Sequence, residues 1–407
     1  MSICEGVLMP NVTQLKHLEH LEDEMLNYGV EGCKASVSFL QELRKMLGCD
    51  NSVGFMQTKW DGAPAVVCGI DPNVDLFFVG TKSVFNKEEP KICYREFDID
   101  KYYPEGELNK KLKFCLNYFG DLGIKGIVQG DLVFTPGDVK RERIHDEMMY
   151  TFRPNTITYA IPVDHEIGKQ VSQSKVGVVF HTHYNGQEFS TMQAMAGAKV
   201  ASSSDVFSID NDTPMHKVGL NHQEEMKFDK HVSDIEKMCK TCGDFLDELV
   251  AKKGTTGDEK WHIASYVKQF FNAEIKAART INNVDSSLES LYNFYYDKTK
   301  VMLSKLKTSN TTVAKTALVH SSLNYLEQNK LKFKAMLGLY KELQAVKQMV
   351  IDKLDHLEKF RTFAQTDNGY KVTGPEGYVL HKDGDMIKFV NRLEFSYINF
   401  TLAKQWR

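Results

Sequence analysis

The sequence lacks a charge bias, a long apolar run and an export signal. It has 51 Lys and Arg against 54 Asp and Glu, a net charge of -3. This excludes a chain that is basic throughout, so any contact with nucleic acid must come from a local patch. No apolar stretch approaches the roughly 18 residues of a membrane-spanning helix. Met1 to Pro10 has neither the basic start nor the apolar run of a signal peptide. The sequence therefore predicts a cytoplasmic protein with no membrane contact.

Cysteine is sparse and follows no framework. The eight cysteines are spread along the chain, which excludes a disulfide-rich secreted fold. The closest pair, Cys239 and Cys242 in MCKTC, lies in a predicted helix without a second Cys or His pair at metal-ligand spacing. Structural or incidental cysteines are therefore favoured over zinc binding or redox chemistry.

Helices are predicted first, and strands follow. Apolar residues recur every three or four positions over Leu15 to Tyr28 and Ala35 to Leu47, which is typical of amphipathic helices joined by a glycine-containing turn. From Phe55 to Glu188 the pattern changes to short β-rich runs bounded by turn residues. These runs are PAVVCGI, LFFVGTK, IVQGDLVF, TITYAI and VGVVFHTHY. This part should be mainly sheet, with a helix near Leu108 to Tyr118.

The strand pattern is predicted to stop between Thr191 and Gln365, where four long segments carry an apolar stripe at helical spacing. A β-rich pattern returns in GYKVTGPEGYVLHKDGDMIKFVN. These observations predict an α+β fold in which a helical bundle interrupts a sheet domain. The predicted parts are an N-terminal helical cap (1–50), the first part of the sheet domain (51–190), an inserted helical domain (191–368) and the last strands of the sheet domain (369–407).

The segment QTKWDGAPAV places Lys59 two residues before an Asp-Gly turn in an otherwise apolar stretch. On spacing alone, this is a tight turn with a solvated lysine. KWDG, however, has the K-x-D-G form of motif I of the covalent nucleotidyltransferases, the superfamily of ATP-dependent DNA ligases, RNA ligases and GTP-dependent capping enzymes. The chain resembles that superfamily in further segments in the same order. They are FFVGTKSVFNK (motif Ia), VQGDLVF (motif III), VGVVFHTHY (motif IIIa), PEGYVLH (motif IV) and DMIKFV (motif V).

Three of these segments depart from the pattern of the superfamily. Motif III has Asp131 where Gly-Glu-Leu is usual, and motif IIIa has Phe180 and His181 where Phe-Asp is usual. Motif V keeps Lys388 but has Val390 at the second of two lysines found in phage RNA ligases of the second type, to which EGYVL is otherwise similar. The whole chain also resembles a family encoded by large tailed phages, with a HLEHLED-type start, KWDGAP and a VVFHT-type strand. That resemblance implies the cytoplasm of a phage host.

The resemblance implies an antiparallel-sheet nucleotidyltransferase domain of the ATP-grasp-like ligase kind, in which Lys59 becomes covalently attached to AMP. The residues at nucleotide-binding positions are Asp61, Gly62, Lys82, Asp131, Phe180, Glu376 and Lys388. The implied cofactors are ATP and Mg²⁺ or Mn²⁺. Since magnesium prefers carboxylate oxygen and water, Asp131 and Glu376 are its candidate ligands, with Asp61 as a further one. Glu376 is equally a candidate acceptor for the ribose hydroxyls.

The chemistry sets a requirement on the lysine. A lysine amine is protonated near pH 7, so Lys59 must lose a proton before it attacks the α-phosphate of ATP. The neighbouring cations Lys82 and Lys388, and the metal ion, are expected to favour the neutral amine.

These residues also have structural alternatives. Asp131 is also typical of a turn cap, Lys388 of an edge strand protected against aggregation, and Glu376 of a Pro-Glu-Gly turn. Phe180 is expected either to stack on adenine or to fill the core. His181 is a candidate contact for substrate or phosphate, although a satisfied histidine of the core or a pocket is favoured over a metal ligand.

Two further features point to phosphate or nucleic acid. Arg153 in TFRPNTITYA is a candidate contact for a triphosphate or a polynucleotide. Between Leu291 and Arg361 the chain has 13 Lys and Arg against 6 Asp and Glu, a local charge of about +7. A basic helical face near a cleft can hold a phosphate backbone. Lysine-rich solvated helices are common, and docking of a protein partner through the helical insertion is the main alternative.

The sequence as a whole predicts an ATP-dependent ligase of the RNA-ligase kind, which seals 5′-phosphate to 3′-hydroxyl ends through lysyl-AMP. About 17 residues follow Val390, too few for the C-terminal OB-fold domain of DNA ligases and capping enzymes, so RNA ends are favoured over DNA ends. Two alternatives stay open. One is a catalytically reduced phage protein that binds nucleotide or nucleic acid and docks a partner. The other is an adenylyltransferase that acts on a protein or a small molecule.

Overall fold

The structure, a computed structural model, describes residues 18–48, 50–198, 200–201, 203–208, 212–251, 262–357, 360–366, 369–374 and 376–396. The α-helices in these ranges are α1 (Glu24–Leu47), α2 (Glu96–Tyr102), α3 (Glu107–Phe119), α4 (Glu166–Gln173), α5 (His222–Ala251), α6 (His262–Lys276), α7 (Val284–Ser304), α8 (Ser309–Gln328) and α9 (Lys330–Leu354). None of them combines the length and the apolar character needed to cross a bilayer.

The strands are β1 (Phe55–Lys59), β2 (Ala65–Ile70), β3 (Phe77–Gly80), β4 (Ile127–Phe134), β5 (Lys140–Ile144), β6 (Glu147–Phe152), β7 (Ile157–Pro162), β8 (Val176–Asn185), β9 (Gln193–Ala196), β10 (Val206–Ser208), β11 (Arg361–Thr366), β12 (Gly369–Val372), β13 (Gly377–Lys382) and β14 (Asp385–Phe389). They form a three-stranded sheet (β1-β13-β14), a six-stranded sheet (β10-β8-β4-β2-β3, with β9 also on β8) and a five-stranded sheet (β12-β11-β7-β6-β5). Apart from the parallel pair of β10 and β8, the strands described here pair antiparallel. The prediction of an α+β fold with antiparallel sheets is confirmed.

The chain leaves the sheets for the helices α5 to α9 and then returns to them. After α9, β11 pairs with β7, and β13 pairs with β1 from the beginning of the sheet region. The expectation that strands stop between Thr191 and Gln365 was wrong, because β9 and β10 lie in that range and β11 begins in it. With four and three residues, β9 and β10 are too short to show an alternating pattern in the sequence.

One core joins the helices to the three-stranded sheet. Helix α1 packs along α5, and the shared core includes residues of α6, α7 and α9. The sheet contributes side chains that are 1% exposed or less: Met56, Tyr378, Leu380, Ile387 and Phe389. Since successive strand residues point to opposite faces, the residues between these ones face away from the helices.

The N-terminal segment differs from the prediction of a helix over Leu15 to Tyr28. His20 is extended and forms a β-bridge with Lys388, and a 3-10 turn follows before α1 begins at Glu24. Residues 15–17 lie outside the described ranges. The turn expected between the two N-terminal helices is a kink at Gly29, with φ 59° and ψ -129°. Glycine adopts this backbone conformation without the strain that a Cβ would bring.

Candidate active site

Lys59 and Lys388 lie on the face of the three-stranded sheet that points away from the helices. Gln57 in β1 is in register with Val379 in β13, which is in register with Lys388 in β14. Lys59 follows Gln57 by two residues and therefore shares its face. Its partner in the ladder is Gly377, the residue after Glu376. Strand pairing thus brings the three segments that resemble motifs I, IV and V onto one sheet.

Glu376 and Lys59 form a partly buried ion pair, in which Lys59 Nζ donates a hydrogen bond to Glu376 Oε1. Burial raises the pKa of Glu376 to about 7, with help from the carboxylates of Asp61 and Asp131 and against the effect of Lys59. Burial lowers the pKa of Lys59, but the carboxylate of Glu376, with Asp131 and Asp61, outweighs burial and leaves that pKa raised. Lys59 is therefore a cation held by a carboxylate that is a stronger base than an ordinary glutamate.

The expectation that nearby cations would keep Lys59 neutral was wrong for the nucleotide-free protein, because three carboxylates act on it. The lysine with a lowered pKa is its neighbour Lys388, whose pKa is lowered by burial and then by the charge of Lys59. The edge-strand alternative for Lys388 does not apply, because the Lys388 backbone N–H donates to the Glu19 carbonyl at 3.0 Å. Residues 18–20 thus cover this edge of the sheet.

Asp131 and His181 come from the six-stranded sheet. The register of β4 with β8 shifts after Gln129, and His181 is the extra residue of this bulge. His181 Nε2 lies 3.5 Å from Asp131 Oδ2, and the two side chains are 27% and 24% exposed. The Asp131 carboxylate influences the pKa of both Lys59 and Glu376. The two sheets therefore contribute to one cluster of charged groups.

Asp61 and Gly62 shape this cluster through the backbone. The Asp61 carboxylate is buried and accepts four hydrogen bonds of 2.6–2.8 Å from residues 155–157. It therefore fixes the loop between β6 and β7. A Cβ at Gly62 would lie 2.6 Å from Asp131 Cβ and 2.9 Å from the Leu132 carbonyl oxygen. Glycine is needed there because the backbone passes so close to β4.

Phe180, Lys82 and Arg153 complete the set of predicted residues. Phe180 is 3% exposed and its ring lies 5.6 Å from that of Phe119, so the core alternative is the one that the packing favours over adenine stacking. Lys82 is exposed after β3 and makes no ion pair with the residues described here. Arg153 Nε donates to the Asn155 carbonyl at 3.2 Å, on the loop that Asp61 holds.

Asp131 and Glu376 carry the oxygen ligands that suit Mg²⁺. Glu376 is engaged by Lys59. Across the described ranges, no three His, Cys, Asp or Glu side chains are arranged to hold a metal ion. Of these two candidate ligands, Glu376 is thus taken up by an ion pair, and Asp131 lies beside His181.

Two histidines of this region were not predicted. His381 is 7% exposed, stacks on Phe55 at 4.6 Å, and its Nε2 has no hydrogen-bond partner among the described groups. Burial, and then His181, lower the pKa of His381 to about 4. His381 follows Val379 by two residues, so strand alternation would have placed it on the face of Lys388.

His20 lies beside Lys388 through its backbone bridge. Burial, and then the cations Lys347, Arg392 and Lys388, hold the pKa of His20 well below its usual range. Its ring is therefore neutral at physiological pH. No sequence signal indicated this residue, because the HLEHLED segment has helical spacing.

A buried polar network lies behind the site strands. Lys347 of α9 pairs with Glu22 at 2.5 Å, and Arg392, which follows β14, pairs with Asp23 at 3.1 Å. Arg392 also donates to the Tyr340 hydroxyl of α9 at 2.9 Å. These contacts attach the helical bundle to both the N-terminal turn and the end of the three-stranded sheet.

Comparisons with known proteins place the chain in a family. No curated protein and no solved structure matches it. The model of a family of unknown function, DUF6267, matches residues 11–404, which include the site strands and the helical bundle. The chain therefore belongs to the DUF6267 family.

Proposed function

We propose that this chain is an ATP-dependent covalent nucleotidyltransferase, in which Lys59 attacks the α-phosphate of ATP. The observation that carries the proposal is the ion pair of Lys59 with Glu376, with Lys388 on the neighbouring strand and Asp131 on the other sheet. These are the residues that the resemblance assigns to motifs I, IV, V and III.

The proposed reaction begins with the proton on Lys59. The amine must be neutral to act as a nucleophile, and the raised pKa of Glu376, about 7, makes this carboxylate an effective proton acceptor at hydrogen-bond distance. The Lys59 nitrogen then forms a bond to the α-phosphorus, and the bond from that phosphorus to the bridging oxygen breaks and releases pyrophosphate. An incoming phosphate supplies negative charge next to Lys388, which favours the protonated form of Lys388 and stabilises the transferring group.

The acceptor of AMP is proposed to be a polynucleotide end. AMP would pass from Lys59 to a 5′-phosphate, and a 3′-hydroxyl would then displace it. The similarity of EGYVL to phage RNA ligases supports RNA over DNA ends. An ATP-dependent reaction on RNA is consistent with a protein of the cytoplasm. If a phage encodes the protein, this is the cytoplasm of the host cell.

A second candidate is a nucleotide-binding protein that has lost sealing. The observation that favours it is Val390, which is 2% exposed in a core shared with Trp60. A lysine at this position would bring a charge into that apolar core, which is unfavourable. The position therefore does not suit the second lysine that motif V has in phage RNA ligases.

The test is covalent labelling of purified protein, freed of bound AMP, with Mg²⁺ or Mn²⁺ and ATP labelled at the α-phosphate. Wild type, Lys59→Ala, Lys59→Arg and the exposed-lysine control Lys110→Ala are compared on a denaturing gel. We expect label on wild type and Lys110→Ala only. Transfer of that label to 5′-phosphorylated RNA, 5′-phosphorylated DNA or neither then distinguishes a ligase from an adenylyltransferase with another target. Absence of label with several nucleotides and both metals refutes the enzyme, and ATP retention without label supports the second candidate.

A further inference from the structure

Ion pairs neutralise part of the basic segment 291–361. Its paired members include Lys334 with Asp285, Lys347 with Glu22, Lys353 with Glu224 and Arg361 with Glu147, at 2.5–2.8 Å. Five exposed lysines of this segment make no ion pair with any residue that the structure describes: Lys298, Lys300, Lys305, Lys307 and Lys332. Lys332 lies over the Phe245 ring, 5.8 Å from its centroid. The other four lie at the end of α7 and in the turn before α8, so most of the free positive charge is concentrated there.

Aromatic rings lie next to these lysines. Tyr292 and Tyr296 are 37% and 48% exposed, and they share one stripe of α7 with the exposed Lys300, since the three are spaced by four residues. A neighbouring face of α7 is fixed in the bundle by Leu291 and Tyr295, each 1% exposed. The stripe is thus presented on a helix that is packed against the rest of the protein.

We propose that Tyr292, Tyr296 and Lys300 of α7, with Lys305 and Lys307 of the turn that follows, bind single-stranded nucleic acid. These five residues are called the α7 stripe from here on. Proteins that bind single strands combine aromatic rings, on which bases stack, with basic groups that contact the phosphates. A surface with unpaired positive charge and two exposed tyrosines has both components.

The spacing of the rings favours a single strand over a duplex. Residues four apart on a helix are about 6 Å apart along its axis, whereas successive bases of one duplex strand are separated by roughly 3.4 Å. The two rings are thus too far apart to contact successive bases of a duplex, and each can stack on an unpaired base of a single strand. The inference rests on the proposed function for its class of substrate, since the stripe would hold the polynucleotide whose end accepts AMP. Binding itself requires neither ATP nor Lys59.

The experiment measures binding of fluorescently labelled single-stranded RNA of mixed sequence by anisotropy, without ATP, at several salt concentrations. The stripe variants are Tyr292→Ala with Tyr296→Ala, the ring-preserving pair Tyr292→Phe with Tyr296→Phe, and the triple variant Lys300→Gln, Lys305→Gln, Lys307→Gln. The matched control is Lys230→Gln, Lys237→Gln, Lys240→Gln, which removes three exposed lysines from α5 with the same change of charge. Thermal unfolding verifies that each variant is folded.

We expect the alanine pair to weaken binding at least about tenfold, because loss of one stacked base already has an effect of this order. The phenylalanine pair should bind within about threefold of wild type, because it keeps both rings. The triple lysine variant should lower the slope of log K against log salt by about 2, at about 0.7 for each phosphate contact with a single strand. The α5 control should leave that slope unchanged.

Three results would overturn the inference: no binding by wild type, equal binding by the stripe variants and the α5 control, or tighter binding of blunt duplex RNA that is insensitive to the alanine pair. The labelling assay with ATP, run on the same variants, keeps the two proposals separate. Stripe-dependent RNA binding without lysyl-AMP would refute the proposed enzyme but not the stripe. Lysyl-AMP formation with RNA binding that is insensitive to the stripe variants would refute only the stripe.

Discussion

Glu376→Gln should remove a pH-dependent part of the stability of the nucleotide-free protein. In the folded chain, burial raises the pKa of Glu376 from 4.5 to about 7. The folded protein therefore keeps this proton over a range in which the unfolded chain has lost it. The contribution to the free energy of unfolding is complete below pH 4.5 and disappears as the pH rises to about 7. At about 1.4 kcal/mol for each pH unit, the loss is about 3 kcal/mol.

Urea unfolding of wild type and Glu376→Gln at pH 4.5 and pH 7.5 measures this loss as a double difference, which cancels groups that titrate alike in both proteins. Between the two pH values, wild type should lose about 3 kcal/mol more than the variant, because glutamine cannot ionise. Glu88→Gln, at an exposed position, should follow wild type. If wild type and Glu376→Gln change in parallel, the argument that burial makes Glu376 a strong base is refuted, and with it the proposed proton acceptor.

Two further predictions concern packing and buried charge. Gly62→Ala should destabilise the fold by about 1–3 kcal/mol and displace Asp131, because the new methyl group overlaps β4. Thermal or urea unfolding beside Gly126→Ala, whose Cβ meets nothing within 4 Å, tests this, and equal stability of the two variants would contradict it. Lys347→Met should lower the free energy of unfolding by about 3–5 kcal/mol, since it leaves the fully buried Glu22 without its lysine. Adding Glu22→Gln should restore much of that loss in urea unfolding, and an additive double variant would contradict the pairing argument.

Several elements were predicted from the sequence. The strands β2, β4 and β8 lie where the β-rich runs were found, α3 lies near Leu108 to Tyr118 as predicted, and α5 and α9 lie in the region predicted to be helical. Helix α8 was not predicted as a separate element, because its Ser- and Thr-rich sequence buries only Val319, Ser322 and Leu326. The N-terminal helix was predicted to begin too early, because the HLEHLED segment has helical spacing. In the structure His20 instead has a β conformation and forms a bridge with Lys388.

Site residues could be nominated from short motifs, but their environments depend on distant partners. The role of Asp61 is set by hydrogen bonds from residues 155–157, about 95 positions along the chain. Alternation could not orient Phe180, because β8 is buried on both faces from Val176 to Phe180. The sign of the pKa shift of Lys59 depends on three carboxylates supplied by different parts of the chain.

The pairing of β1 with β13 also sets the order in which the protein can mature. Lys59 and Glu376 are 317 residues apart, and a ribosome that adds about 5–20 residues each second needs roughly 15–60 s to synthesise that interval. Contacts so remote in sequence also slow the search for the native topology. Strand β1, which carries Lys59, therefore cannot pair with β13 until the helical bundle between them has been synthesised. The proposed nucleophile can acquire its Glu376 partner only after the bundle has been synthesised, so a nascent fragment that ends within the bundle would carry Lys59 with Asp61 and Asp131 but without Glu376.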